Sequence, residues 1–554
     1  MQLDTLARPL PSRTRVAPTL LAVAFGLGCT TARSGTPAAA RSSESAPAYE
    51  IAYRVSMPNP ASHLYEVQLD LGRLSGDSLR LQMPVWSPGR YARMDFARNV
   101  QDFAAETPDG RAVAWDKANG SLWRIRTGSA RTLRVRYRVY ANNLSGTFSV
   151  LDTAHANWNG PSLFMYVEGH KPDPVRLTVV PPRGWRVMNG AVPAASSGAP
   201  AEMEFAFPNY DVMADSPTEV APDFSVDTFT ADGVLYRIMV HHNGGGNTPE
   251  RRARFRRDVE KIVRYENRVF GPPPISTYTF LGNAGYDGSD GMEHLTSTQI
   301  QTRASWSDDE SGLLPLTTTA SHEYFHVWNV KRVRPIVLGP FDYTTEQYQP
   351  SLWVAEGWTN YYGGMALHRG GVIDRAALYR NLAGVVRYNL ETPGRKHFSA
   401  RMSSFHAPYY DGAAEGMETN RRQTWITYYI KGEGLALLLD LEIRSRTGGA
   451  RSLDHALRLL KERTWDAPNA SYYLQGRGYT EEDVVRAVSD AAGADMRSWF
   501  DRYVASTDDP PFAETFARTV GVELVRNEGG YELRDMPGAS SQQVAVREGW
   551  LSGK

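Results

Sequence analysis

The hydrophobic period of this chain changes once along its length, and that change constrains the fold most. In the first half, Leu133, Val135, Tyr137 and Val139 alternate with Arg134, Arg136 and Arg138, and Leu79, Leu81 and Met83 alternate likewise. Successive side chains on a strand point to opposite faces, so each run predicts a strand with one buried face. Turn dipeptides at Asp109-Gly110 and Asn119-Gly120 separate such runs. The arginine stripe reads as the solvated face of an antiparallel strand rather than a basic patch. Past about residue 250 the spacing becomes helical, from "PERRARFRRDVEKIVRYENRVFG" onward. Further helices are expected from Gly434 to Arg446 and from Thr480, where Asp483 three residues on approaches a capping box. The segment "DGMEHLTSTQI" ends β-like, and "AVPAASSGAPAE" reads as a surface loop. No repeat of fixed period is present.

This pattern predicts an α+β chain, with an all-β sandwich followed by a mainly helical domain. A length of 554 residues requires two or more cores. Lys+Arg and Asp+Glu balance at 61 each. That balance argues against a protein that coats nucleic acid or an anionic membrane.

Arg8, Arg13 and Arg15 precede the apolar run "VAPTLLAVAFGLGC", which ends at Cys29, the only cysteine. A basic n-region and a short h-region predict a signal peptide over residues 1–28 and export. The cysteine resembles the lipid-modified residue of bacterial lipoproteins, although Gly26 stands where that pattern usually carries leucine. The expectation is therefore a periplasmic or membrane-anchored lipoprotein, tethered through Cys29; the alternative is a plain secretion signal cleaved nearby. The Ala/Ser/Pro-rich residues 29–47 read as a disordered tether. A lone thiol at this position excludes a disulfide framework and a cysteine nucleophile in the folded part.

Chemistry concentrates in "TTTASHEYFHVWNV". Histidines at i and i+4 share a helix face, roughly 6 Å apart along the axis, so His322 and His326 can converge on one ion. Glu323 between them is placed to take a proton from a metal-bound water. Thr317, Thr318 or Thr319 offers a cap for this helix, and Pro335 lies past its end. A buried amphipathic helix with Tyr324, Phe325 and Trp328 in the core would carry the same letters. A third ligand decides between the readings. Glu356 in "SLWVAEGWTNYYGG" lies 30 positions beyond His326, past the breakers Gly339, Pro340 and Pro350. A carboxylate among Trp353, Val354, Ala355, Gly357 and Trp358 needs a cationic partner.

The segments "HEYFHVWNVKR", "WVAEGWTNYY", "DGMEH" and "YYIKG", with "MPVWSPGRYARMDFARNVQDF" upstream, resemble the M61 peptidases, the glycyl aminopeptidase group of the thermolysin-like zincins. The resemblance runs from about Tyr49 to about Leu524. It implies a sandwich over residues 48–225, a thermolysin-like zinc metallopeptidase domain over 226–505, and one catalytic Zn2+ held by His322, His326 and Glu356. It further implies Glu323 as general base and Tyr429 as donor to the oxyanion. In "DGMEH", Gly291, Met292 and Glu293 would bind substrate, with Glu293 on the free amine and His294 in place of the usual asparagine. The implied activity is removal of small N-terminal residues, Gly or Ala, from peptides with a free N-terminus. The family commonly continues into a PDZ domain. Residues 506–554 lack its glycine and hydrophobic pattern and are expected to form a remnant without a peptide groove.

Two rival readings stay open: a zinc endopeptidase, and a non-catalytic peptide-binding protein on the same fold. His241-His242 before "NGGG" reads as a strand end and turn rather than a second metal site. No Gly-x-Ser-x-Gly elbow and no phosphate-binding Gly-x-x-x-x-Gly-Lys run occurs.

Overall fold

The computed structural model describes residues 48–192, 202–303, 312–411, 421, 423–468 and 471–554. The expected signal peptide, the tether and Cys29 lie outside the described residues, as does most of the Ala/Ser/Pro loop near residue 195. None of the described helices is long and apolar enough to cross a membrane.

The chain is α+β, a β-rich N-terminal region followed by a helical one. The first region holds a six-stranded sheet in the order Met203–Phe207, Val175–Val180, Glu50–Ser56, Leu64–Gly72, Thr132–Tyr140, Val100–Glu106. Two four-stranded sheets, centred on Leu79–Gln82 with Leu122–Ile125 and on Thr218–Ala221 with Ala156–Trp158, complete it. The alternating strand behaves as its pattern demands. Leu133, Val135, Tyr137 and Val139 are buried, while Arg134, Arg136 and Arg138 pair with Asp70, Glu106 and Asp102 on neighbouring strands.

The second region opens with a five-stranded sheet in the order Ser225–Ala231, Val234–His242, Thr277–Ala284, Ser297–Thr302, Asp290–Glu293. Asp290–Glu293 is its edge strand. The first long helix, Pro249–Phe270, is capped by the Thr248 hydroxyl and stopped at Gly271. The Thr480 signal forms a full capping box, with Asp483 N donating to the Thr480 hydroxyl and Thr480 N donating to the Asp483 carboxylate at 2.9 Å.

Two helix starts differ from expectation. The motif helix begins at Leu313, so the threonines lie inside it. Thr317 and Thr319 hydroxyls donate to carbonyls four residues back, Leu313 O at 2.9 Å and Pro315 O at 3.1 Å. Burial of Leu313 and Leu316 extends the helix toward its N-terminus, and Pro315 is tolerated in the first turn, where its missing N–H has no partner to lose. The helix expected from Gly434 starts instead at Tyr428, capped by Thr427. Gly432 in its first turns is a crossing point. A Cβ there would collide with the Trp353 carbonyl and with Gly357, because this helix passes directly over the turn that carries Glu356.

Residues 341–343 dock the two regions together. Val85 N donates to Tyr343 O at 2.9 Å and the Trp86 indole to Asp342 O at 2.6 Å. The C-terminal segment forms a helix (Phe512–Val520), a hairpin (Val522–Asn527 with Gly530–Asp535) and a last helix (Ser541–Ser552). It packs on the catalytic helices: Trp550 is fully buried and its indole donates to the Tyr361 hydroxyl at 3.0 Å.

Candidate active site

The motif helix Leu313–Phe325 projects His322 from its last turn, and His326 follows as the C-cap, still in helical conformation. Glu356 sits between the short helix Leu352–Ala355 and the helix Gly357–Arg369, ending one and opening the other. The three side chains meet. The Nε2 atoms of His322 and His326 are 2.9 Å apart, and Glu356 Oε2 lies 3.4 Å from the first and 3.2 Å from the second. Tetrahedral bonds of about 2.0–2.1 Å require donor separations of about 3.3 Å, so the set fits one zinc-sized ion.

Surrounding bonds orient these donors. His326 Nδ1–H donates to Asn329 O at 2.7 Å, which turns the Nε2 lone pair inward. Asn329 also clamps the two ligand segments, since its amide donates to Val354 O at 3.1 Å and to the Thr359 hydroxyl at 3.1 Å. The second Glu356 oxygen accepts from the Tyr91 hydroxyl at 2.5 Å. Tyr91 comes from the N-terminal region, in "SPGRY". Neither Asn329 nor Tyr91 carried a role on sequence alone; the quoted segments containing them were the available signal.

Glu323 and Glu293 complete an acidic cluster. Carboxylate oxygens of both lie within 4.8 Å of each other and of a His326 ring nitrogen. Glu323 Oε2 is buried without a hydrogen-bond partner among the described residues. Burial pushes the Glu323 carboxyl up, with Glu293 and Glu356 adding to the rise against the pull of His326. Against burial, which lowers it, the carboxylates of Glu356, Glu293 and Glu323 hold the His326 imidazole up at about 10. A site with this surplus of negative charge attracts cations.

The edge strand Asp290–Glu293 lies against the motif helix. A Cβ on Gly291 would run into the Glu323 carboxylate, so only glycine lets the strand approach this closely. Met292 is fully buried, and its carbonyl accepts from the Thr298 hydroxyl at 2.9 Å. Gly89, at φ +85°, leaves room for Met292 and Glu293 where any side chain would clash. Arg90 beside it pairs with Asp290 and donates to Thr147 Oγ1 at 2.9 Å, tying the edge strand to the N-terminal region. His294 points away from the cleft. Its Nδ1 lies 3.0 Å from Asp215 Oδ1, which also accepts from Lys331 Nζ at 2.9 Å. The residue in the asparagine position thus anchors the strand to the turn that follows His326.

Tyr429 lies in the first turn of the helix Tyr428–Arg446, its ring stacked near His322 with centroids 6.1 Å apart. Burial raises its hydroxyl well above the ordinary tyrosine value, with Glu356 and Asp411 adding to the rise, so it stays a donor. A small recess next to Glu293 is lined by Gly89, Tyr91, Val330, Leu338 and Phe341. Larger recesses lie on the N-terminal sheets and hold no convergent catalytic set.

Residues 52–222 match the family model of the peptidase M61 N-terminal domain, and residues 316–435 match that of the M61 glycyl aminopeptidases. The chain belongs to the M61 peptidase family. The second match spans His322, Glu323, His326, Glu356 and Tyr429, and the first spans Tyr91. Among solved structures, the M61 chain resembles an aminopeptidase N family protein from Idiomarina loihiensis at 25% identity and a TM-score of 0.76, covering 89% of this chain and 82% of that one. An M1 zinc metallopeptidase from Deinococcus radiodurans aligns at 15% identity and a TM-score of 0.47, covering 84% and 94%. No curated protein matches.

Proposed function

We propose that this M61 peptidase is a zinc-dependent aminopeptidase that releases small N-terminal residues from peptides. The observation that carries this reading is the charge inventory of the cleft. Glu293, Glu323 and Glu356 crowd around two imidazoles. A dication held by His322, His326 and Glu356 leaves one negative charge over, and Glu293 is the one of the three carboxylates on the edge strand. An α-ammonium is the substrate group that balances it, because only a terminal amine is cationic near neutral pH.

When bound, zinc would lower the pKa of water to about 7 and polarise the scissile carbonyl. The rest falls to side chains of this chain. Glu323 takes a proton from the attacking water and passes it to the leaving amine. Its buried, unpartnered oxygen supports that role. The Tyr429 hydroxyl donates to the developing oxyanion. The free edge of Asp290–Glu293 offers backbone groups to an extended peptide. The recess beside Glu293 is small and mostly apolar, with Lys331 in its wall, and its size supports a small first residue such as Gly or Ala.

Hydrolysis of Ala- or Gly-initiated peptides against their N-acetylated forms tests the reading. Free peptides should react faster by at least tenfold. Equal rates would make the enzyme an endopeptidase on the same fold. Export with acylation at Cys29 belongs to the same proposal, and the mass of the mature N-terminal peptide decides it.

A further inference from the structure

The adjacent histidines His241 and His242 separate in the structure. His242 behaves as a turn residue, its Nδ1 2.8 Å from Gly244 O. His241 turns inward from the strand Val234–His242 and meets two residues of the N-terminal region, His155 and Glu219. All three are buried, at 3%, 1% and 0% exposure. The Nδ1 atoms of both histidines face one oxygen. Glu219 Oε1 lies 2.9 Å from His155 Nδ1 and 3.4 Å from His241 Nδ1.

We infer that His155, Glu219 and His241 form a second, structural site for a divalent first-row metal ion of the zinc class. The two imidazole-to-carboxylate separations, 2.9 and 3.4 Å, are close to those of the catalytic set, and all three donor atoms lie within 4.8 Å of one another. Their surroundings are those of metal ligands. The other Glu219 oxygen accepts from Asn157 Nδ2 at 2.8 Å, and Asn157 is itself held by Gln299 through its Oδ1 at 2.6 Å. His241 Nε2 lies 3.5 Å from Asp223, a carboxylate–imidazole pairing of the kind that orients ligating histidines. The Tyr286 hydroxyl lies 3.1 Å from His241 Nδ1, and its ring stacks on His155. Two imidazoles and a carboxylate, all buried, suit zinc rather than calcium or magnesium, which prefer oxygen and water.

The competing account places a single proton between His155 and Glu219. Metal content separates the two without reference to activity. In the variant His322→Ala, His326→Ala the catalytic imidazoles are gone. Equilibrated with zinc and freed of excess, it should retain one equivalent by elemental analysis. Adding His241→Asn to that variant should remove it. No retained zinc in the first variant overturns the site, as does retained zinc that His241→Asn leaves in place. Cobalt(II) offers a second readout in the same first variant, where visible d–d bands of a four-coordinate ion are expected and their absence counts against the assignment. Because both readouts use chains without the catalytic imidazoles, they stand or fall separately from the aminopeptidase reading.

Discussion

Around His322, His326 and Glu356, carboxylates outnumber their partners; around His155, Glu219 and His241, every carboxylate oxygen has one. Both clusters bring two imidazole nitrogens within 2.9–3.4 Å of one glutamate oxygen. The first adds Glu323, buried and unpartnered, and Glu293 on a free sheet edge. The second is closed by Asn157, Tyr286 and Asp223. The difference teaches that ligand geometry alone does not make a reactive site. Reactivity needs a polar group left unsatisfied and a side open to substrate, whereas satisfied surroundings turn the same letters into a fastening.

The sharpest way to break this comparison is Glu323→Gln. Loss of a general base costs on the order of 10²–10⁴ in rate. We expect kcat to fall by that factor with metal content unchanged. A metal-free variant would mean Glu323 serves as a ligand. At the closed cluster the expected loss is of stability instead. Glu219→Gln removes one partner from a buried charged group, a change of about 3–5 kcal/mol. Denaturant midpoints should drop while kcat of the folded fraction stays level; a selective loss of kcat would erase the distinction between the clusters. Tyr91→Phe deletes one hydrogen bond to Glu356, and loss of such a supporting contact typically costs about 10–100-fold in metal affinity or activity. Zinc-buffered activity assays should show weaker metal retention, repaired by excess zinc. Glu293→Ala should act on the same scale as Tyr91→Phe, since a charge-assisted hydrogen bond gives roughly 1.5–3 kcal/mol. It should lower kcat/KM on free peptides by about ten- to a hundredfold and narrow the gap to N-acetylated ones.

What was legible in the sequence was local. His322, Glu323 and His326 lie within one helical turn and a half, and Glu356 follows at a distance that a helix–loop–helix spans. The strand pattern of 133–139 and the Thr480 cap are also decided by neighbours in sequence. Glu293 and Tyr429 came only through resemblance, because no short-range rule links an edge strand to a helix more than a hundred residues on. Tyr91 was invisible for the same reason, with 265 positions separating it from Glu356. The inward turn of His241 depends on Glu219 in the strand Thr218–Ala221 and on His155, just before the strand Ala156–Trp158. The helix starts at Leu313 and Tyr428 were hidden because buried packing outweighed threonine and glycine preferences.

The contact between Tyr91 and Glu356 also sets an order in time. During synthesis the N-terminal region leaves the ribosome first and folds as a unit. The ligand set is whole only after residue 356 has emerged and docked back on a surface made much earlier. The nascent chain therefore remains inert through most of its own production, and it gains cutting power as one of the last acts of its assembly.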